Sequence, residues 1–599
     1  MILQARIAYE QKDFLACVVA ADQAAELMGR QDRRRWKAFG SLLSLRARAS
    51  GGDLGDQFLP KLKSVEKDLA EHGDYLGLID ALMLNGRVLK NLGRPKEAAA
   101  AFSRVAKLAA NGPVLLRIQG RVAEALEAEL EGDTRRLGRV ARAGLDDLER
   151  YRQSLASSEL RARAAEYGVE LAQIGLRSAL AGRRPMRVWS WLERTRASVI
   201  GGAIVGKAPP ELNPLLAELR ETQRLLSAPS ADDSDRLRLQ SRLARLEGKI
   251  RATSWKRHGE GELGVLSPPT QTRLATLRAA LADRVLLEYG VVDGLLIAVV
   301  VSADAIRFVP MGSIDVVDEA RGNLGFALQR LSSPRSIKSG DAARLSADDA
   351  LNTLDSVLVR PLEPLIGDHR RVVVVPPSDL IGLPWGAMAG LANRAVRIVP
   401  SAMMWSATAA TTPSSDRVVA IEGPDLEAAA DEVQLVSELH GNAKTLRGEE
   451  STVLAVLEAV DGAALVHLAC HGTLRTDSPT FSGFRMSDGP LTVHDLEGLT
   501  SPAHHWVLAA CDLGNPGSLS GADLEGVLAS LLGGGAGAII AAITAVPDEA
   551  SAALMGPLHQ AMARGKSLAE ALSFAKQDLD QDDPMSFVTH VAFNCYGGG

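Results

Sequence analysis

From about residue 280 to its end, the chain alternates short uncharged runs with helical segments, and that alternation restricts the fold more than any other feature. RRVVVVPPSDL (370–380), DRVVAIEG (416–423), AALVHLAC (463–470), HWVLAAC (505–511) and AIIAAI (538–543) are too apolar to show one face to water. Strands of this kind lie inside a sheet covered on both faces. Between them DLEAAADEVQLVSELHG, TVLAVLEAV, LEGVLASLL and EASAALMGPLHQAMARG have helical spacing, so the expectation is a parallel sheet with helices on both sides. Ahead of them RVLLEYGVVDGLLIAVVVSADAIRFVPM (284–311) reads as strands joined by tight turns at Val-Asp-Gly and Ser-Ala-Asp.

The first two hundred residues follow a different period. They are rich in Ala, Leu, Arg and Glu, and pieces of one theme recur. NGRVLKNLGRPKEAAAAFSRVAKLA (85–109) predicts a helix, a turn at Leu92-Gly93-Arg94 and a second helix, with small Ala98 and Ala99 allowing close approach and Phe102 filling the layer between. Similar turns fall at Gly132-Asp133 and Gly182, and a weaker copy lies near residues 9–24. Spacings of about 40 and 50 residues make this a degenerate array of helical hairpins. It resembles tetratricopeptide repeats, a class that presents concave peptide-binding surfaces; an array that only packs on its neighbour domain has the same sequence. Residues 203–275 read as a junction, with Pro209, Pro210 and Pro214, the polar run APSADDSD (228–235) and a charged helix RLRLQSRLARLEGKIRAT. Lys256-Arg257-His258 there reads as solvated surface.

Composition excludes several classes. With 46 % apolar and 23 % charged residues the chain is not mainly disordered. Lys+Arg number 67 against 73 Asp+Glu, a net charge of −6, which argues against a general nucleic-acid binder. Aromatics at 4 % leave few stacking platforms for single strands. Four cysteines (Cys17, Cys470, Cys511, Cys595) do not form a disulfide framework, so a reducing, cytoplasmic setting is expected. MILQARIAYEQKDF lacks the charged and apolar regions of a signal peptide and starts as if already inside a helix, so an upstream segment is expected. Gly526 to Val546 is uncharged and long enough to cross a membrane, but Gly533-Gly534-Gly535 divides it into a short helix and a buried strand.

Two strands end in reactive residues. AALVHLA runs into Cys470-His471-Gly472, and HWVLAA runs into Cys511-Asp512. In open parallel sheets such groups gather beyond the carboxyl ends of the strands. If the two strands are neighbours, His471 can take the proton of Cys511 and make a thiolate nucleophile. The N–H groups of Gly472 and Cys511 are candidates for stabilising an oxyanion. His471 precedes Cys511 by 40 residues, near the caspase spacing of roughly 50. Other readings fit the same residues: a strand-end Cys as a small buried hydrophobe, a lone His as a structural hydrogen-bonder, or zinc held by His467, His471, Cys511, His504 and His505 without any usual ligand spacing. Cys470 alternates to the other face and reads as core, as do Cys17 and Cys595.

Several segments together resemble the CHAT family, caspase-like peptidases found fused to tetratricopeptide repeats and distantly similar to separases. They are LLEYGVVDGLLIAVVV, VVVVPPSDLIGLPWGAM (372–388) with Pro376, Leu380, Leu383 and Pro384, IVPSAMMW (398–405), GPDLEAAADEVQLV (423–436), HLACHG (467–472), LAACDLG (508–514) and GADLEGVLASLLGGGAGAIIAAI (521–543). The resemblance implies a cysteine peptidase with Cys511 as nucleophile, His471 as general base and Gly472 in the oxyanion hole, needing no cofactor. It implies a pseudo-peptidase lobe ahead of the active one. The position two before the nucleophile, which helps shape the pocket for the residue preceding the cut, is Ala509; a neutral pocket is expected unless Asp512, Asp523 and Asp548 line it, and these three read equally as loop turns and helix caps. The expected domains are a repeat domain over 1–205, a helical linker over 206–278, a pseudo-peptidase lobe over 279–410 and a peptidase lobe over 411–599. A complete dyad joined to a binding array leads to the expectation that a protein partner on the repeats gates the peptidase, and family association further implies a role in bacterial, including antiviral, defence and a protein substrate such as a gasdermin-like effector. A catalytically silent scaffold is the alternative. Loops 473–490 and 512–522, being polar and rich in Gly and Pro, are candidate self-cleavage sites.

Overall fold

A computed structural model describes residues 1–155, 158–200, 211–227, 233–254, 270–332, 340–409, 411–441, 443–473, 475, 478–509 and 522–598. Lys256-Arg257-His258, most of the APSADDSD run and the loop that holds Cys511 and Asp512 lie outside them. Every described element before residue 285 is a helix, and a mixed sheet with helices follows. Residues Met1–Tyr151 with Ala164–Gly182 form one compact unit, and Arg152–Arg163 with Arg183–Gly599 the other.

In the first unit the expected hairpins form. Helices Tyr75–Asn91 and Pro95–Ala109 flank a turn in which Gly93 takes φ +70°, a left-handed conformation that suits glycine. Phe102 is buried between them, and a Cβ on Gly86 would stand 2.4 Å from its ring. The absence of that Cβ lets the two helices close on the aromatic ring. Aspartates cap helices here: Asp74 accepts from Gly77 N at the start of Tyr75–Asn91, and Asp13 from Ala16 N at the start of Phe14–Arg30. The weak copy near residues 9–24 is also a hairpin, Ile2–Glu10 with Phe14–Arg30.

The second unit is built on strands β1 (Val285–Val292), β2 (Leu295–Val301), β3 (Ile306–Ser313), β4 (Arg371–Val375), β5 (Ala395–Ile398), β6 (Val418–Glu422), β7 (Lys444–Leu446), β8 (Leu465–Ala469), β9 (Gly472–Thr473), β10 (Gly483–Met486), β11 (Gly489–Thr492), β12 (His505–Leu508), β13 (Ala538–Ala542) and β14 (Phe593–Gly597). Eleven of them form one sheet in the order β3-β2-β1-β4-β5-β14-β13-β12-β8-β6-β7, and β9, β10 and β11 form a small second sheet. Neighbours in the large sheet run parallel except at β3–β2, β2–β1 and β14–β13. The expectation of a parallel sheet is therefore refined to a mixed one. At Asp293-Gly294 both residues have positive φ, +50° and +77°, the geometry of a two-residue hairpin turn, so β1 and β2 must be antiparallel. The C-terminal strand β14 sits between the two halves, beside β5 on one side and β13 on the other, so they share one continuous sheet.

Alternate residues of each central strand enter opposite core layers: Val466, Leu468 and Cys470 one, Leu465 and Ala469 the other. Cys17, Cys470 and Cys595 are buried. The uncharged 526–546 stretch divides into helix Ala522–Gly534 and β13, with Gly535 at φ +115° between them. Among the described residues no helix is long and apolar enough to cross a membrane.

One polar cluster pierces the core. Arg196, on helix Pro185–Ile200, donates to Glu288 Oε1 (3.1 Å), to Val375 O (3.0 Å) and to the carbonyls of Tyr289 and Pro376. Glu193, one turn earlier, accepts from Ala402 N at 2.8 Å and Met403 N at 3.1 Å, placing a carboxylate at the start of helix Ala402–Thr408. Burial, and then the charge of Glu193, holds the Glu288 carboxyl well above its usual range against the pull of Arg196.

Candidate active site

Strand β8 lies between β6 and β12, all three parallel, with His467 opposite Val507 and Leu468 opposite Leu508. The ladder continues past β12, where Ala509 N donates to Leu468 O at 3.0 Å. Two residues beyond β8 the chain reaches His471 at the carboxyl edge of the sheet. Cys511 follows Ala509 by two residues in sequence and lies outside the described residues.

His471 is held from two sides. Its Nε2 is 3.1 Å from the carbonyl of Asp425, an atom that can only accept, so this nitrogen carries the proton and Nδ1 is the basic one. Its own carbonyl accepts from Arg485 N at 2.8 Å. That bond makes His471 and Arg485 a bonded pair of the small sheet, so Gly472, opposite Phe484, is the non-bonded position and its N–H points away from β10.

The carbonyl of Asp425 is itself fixed. Asp425 has φ +63°, and its carboxylate meets Arg485 Nη2 at 2.6 Å. Three residues on, Ala428 N donates to Asp548 Oδ2 at 2.9 Å. Asp548 thus anchors the loop that orients His471. Ala509 is buried in the apolar layer that also contains Val546 and Leu554. Asp523 is in the first turn of helix Ala522–Gly534, and its side chain, like Asp512, is outside the described residues. Asp425 and Arg485 were not apparent from sequence. Asp425 falls within the GPDLEAAADEVQLV segment, but its contact with His471 spans 46 residues and depends on the pairing of β6 with β8.

Five other histidines of this lobe form two groups. His504 and His505 stand at the amino end of β12, the opposite end from His471. His467 is fully buried in a chain of contacts: His440 Nε2 to His559 Nδ1 at 3.0 Å, His559 Nε2 to His467 Nδ1 at 3.0 Å, and His467 Nε2 to Glu432 Oε1 at 2.8 Å. The last is at ion-pair distance without hydrogen-bond alignment. Among the described residues no three His, Cys, Asp or Glu side chains converge as metal ligands.

Burial, reinforced by His467 and His440, holds His559 well below the usual imidazole range. Burial likewise brings His505 down to about 3 and His590 to about 4. Such groups stay neutral when folded and take protons when unfolded, so the stability they allow is complete above the unfolded pKa near 6.5 and is lost as pH falls toward the folded values. Denaturant melts should show a loss of about 1–2 kcal/mol per buried imidazole between pH 7.5 and 5. A flat profile over that interval would contradict the buried, neutral assignment.

A helical hairpin grips the segment that follows His471. Leu212, Leu216 and Leu219 of helix Leu212–Ser227 and Ile250 of helix Asp233–Ser254 pack with Phe481. Around that contact Arg220 meets Asp495 at 3.1 Å, Arg475 meets Glu247 at 2.7 Å and Arg251 donates to Ser478 Oγ at 2.9 Å.

Residues 348–597 match the CHAT domain. No curated protein sequence matches the chain. Two crystal structures of the Saccharomyces cerevisiae separase–securin complex, at 2.6 and 3.0 Å resolution, align over 99 % of this chain at 9 % identity and a TM-score of 0.43. The chain spans about half the length of those matched chains, 52 % and 53 %.

Proposed function

We propose, from the match of residues 348–597 to the CHAT domain, that the protein is a cysteine endopeptidase in which Cys511 is the nucleophile and His471 the general base. The observation that carries this reading is the pairing of β8 with β12, which leads the backbone of His471 and the path toward Cys511 to the same sheet edge. Imidazole Nδ1 takes the thiol proton while Nε2–H stays on the Asp425 carbonyl. The thiolate adds to the scissile carbonyl, and the Gly472 N–H is suited to the oxyanion that forms. Collapse breaks the C–N bond as the imidazolium gives its proton to the leaving amine. Water, deprotonated by the same imidazole, then releases the acyl group and the free thiol.

A peptide probe with a thiol-reactive group tests this. It should label the wild type at Cys511 in the presence of an activating partner and leave Cys511→Ala unlabelled. Failure to label Cys511 under any activating condition would favour the silent-scaffold reading. Ala509 supports an uncharged residue before the cut. Gating by a partner rests on the joining of the dyad to a helical array, a defence role and an effector substrate rest on the domain resemblance, and digestion of a proteome with and without candidate partners tests them.

Arg485 is a positioning residue in this scheme, acting on His471 through Asp425. Arg485→Ala should lower kcat roughly ten- to a hundredfold with KM little changed, and Arg485→Lys should recover part of the rate. Equal losses in kcat and in thermal stability, without rescue by lysine, would show a purely structural role.

A further inference from the structure

At the amino ends of β4 and β5, which share an edge of the sheet with the carboxyl ends of β8 and β12 because β14 runs against β13, a cavity of about 50 Å³ is lined by Arg284, Arg371, Arg397, Ser567 and Glu570. It adjoins a wider cleft of about 750 Å³ that shares Arg371 and Glu570 and adds Arg370 and Lys566. Arg397 is only 7 % exposed, and among the described residues its Nη1 has no hydrogen-bond acceptor.

Asp368 lines the outer cleft with Arg370 and Lys566, and the other two carboxylates, Glu570 and Asp283, are already engaged by arginine. Glu570 accepts from Arg371 Nε at 2.9 Å and from the Ser567 N–H and hydroxyl at 3.1 and 2.7 Å. Burial would raise its carboxyl, but those hydrogen bonds outweigh it and bring the pKa to about 2, so Glu570 is a committed anion. Asp283 accepts from Arg371 Nη1 at 3.0 Å and lies 3.9 Å from Arg284 Nη1. Three guanidinium groups therefore face two carboxylates, and the surplus charge is the buried one. The groups on the neighbouring strands do not balance it. Burial pushes the Cys595 thiol up to about 11 despite Arg397, so it stays protonated. Burial, with a contribution from Arg397, holds His504 and His505 neutral. A guanidinium withdrawn from water without a counter-charge is strongly unfavourable, and its planar fork suits an oxyanion better than any other partner.

We propose that this cavity binds a phosphoryl group, held by Arg397 and Arg284, with the rest of a phosphate-bearing small molecule in the outer cleft beside Arg370 and Lys566. The volume is several times the ~10–15 Å³ that one water needs, which fits a tetrahedral oxyanion and leaves no room for a larger group. The cavity does not include Cys511, and β14 and β13 separate β5 from β12.

The test is thermal unfolding of the full chain in inorganic phosphate, in adenosine 5′-monophosphate, in acetate, and in chloride at matched ionic strength. Phosphate should raise Tm by several degrees over chloride, and acetate should not. A larger rise with the nucleotide assigns an ester as the natural ligand; a larger rise with phosphate assigns the free ion. Arg397→Met, of similar length and apolar, should keep its fold and lose the phosphate response. If it fails to fold, Arg284→Gln, at a less buried position, should need at least fivefold more phosphate for half the shift. Phosphate acting no better than chloride, acetate matching phosphate, or an unchanged response in both variants would overturn the proposal. Cys511→Ala should respond to phosphate as the wild type does, which separates this site from the peptidase reading.

Discussion

Cys511→Ala is expected to bring cleavage of a protein substrate to background, a loss on the order of 10⁴- to 10⁶-fold, without changing the melting temperature. His471→Ala should cost nearly as much, and the double variant little more than either alone, because the two groups perform one proton transfer together. Proteome digestion followed by analysis of new chain termini reads this directly. Matching fragments from wild type and Cys511→Ala would remove Cys511 from the mechanism. The same comparison, made with and without a candidate partner, reports whether activity is gated. The Asp425 carbonyl explains why His471→Gln should not substitute: an amide can occupy the space but cannot carry a proton between thiol and leaving amine.

The largest expected effect on stability is at Arg196. This side chain crosses from its helix to the middle of β1 and the carboxyl end of β4 and donates to Glu288 Oε1 and to the carbonyls of Tyr289, Val375 and Pro376. Arg196→Met would leave a buried carboxyl and those acceptors without their donor, at a cost of about 3–5 kcal/mol. Urea unfolding followed by sheet-sensitive circular dichroism should show it. Glu288 already sits well above the ordinary carboxyl range, so Arg196→Met/Glu288→Gln should recover part of the loss by removing the group that most resists burial. A loss below about 1 kcal/mol, the scale of an exposed pair, would mean that the cluster is open to water and not a core element.

Much of the architecture was legible because periodicity is local. Gly93 and Gly132 mark turns in the helical array, and each has positive φ in the structure. The apolar runs around Val372, Val419, Val466, Val507 and Ile540 are strands buried on both faces, as continuous apolar sequence requires. The strand pair bearing the candidate residues was legible in the same way, since both apolar runs end in chemistry-bearing residues. The small sheet β9–β11 and the seam strand β14 were not. Gly472–Thr473 is two residues long, and FNCYG has no turn signal before it because helix Pro584–Ala592 runs straight into it. Asp548 could be read as a helix-start residue or a pocket residue from spacing alone; its bond to Ala428, 120 residues away, decides that it braces the His471 loop.

By itself the sequence determined which segments are helices or buried strands, and where a thiol and an imidazole leave their strands, because hydrophobic period and strand-end position are properties of neighbouring residues. Only the tertiary structure decided which strands adjoin, that Asp425 and Arg485 orient His471, and that Arg397 is enclosed with an uncompensated charge. Those facts depend on pairing across hundreds of residues and on exclusion of water, and neither is written in any local stretch of chain.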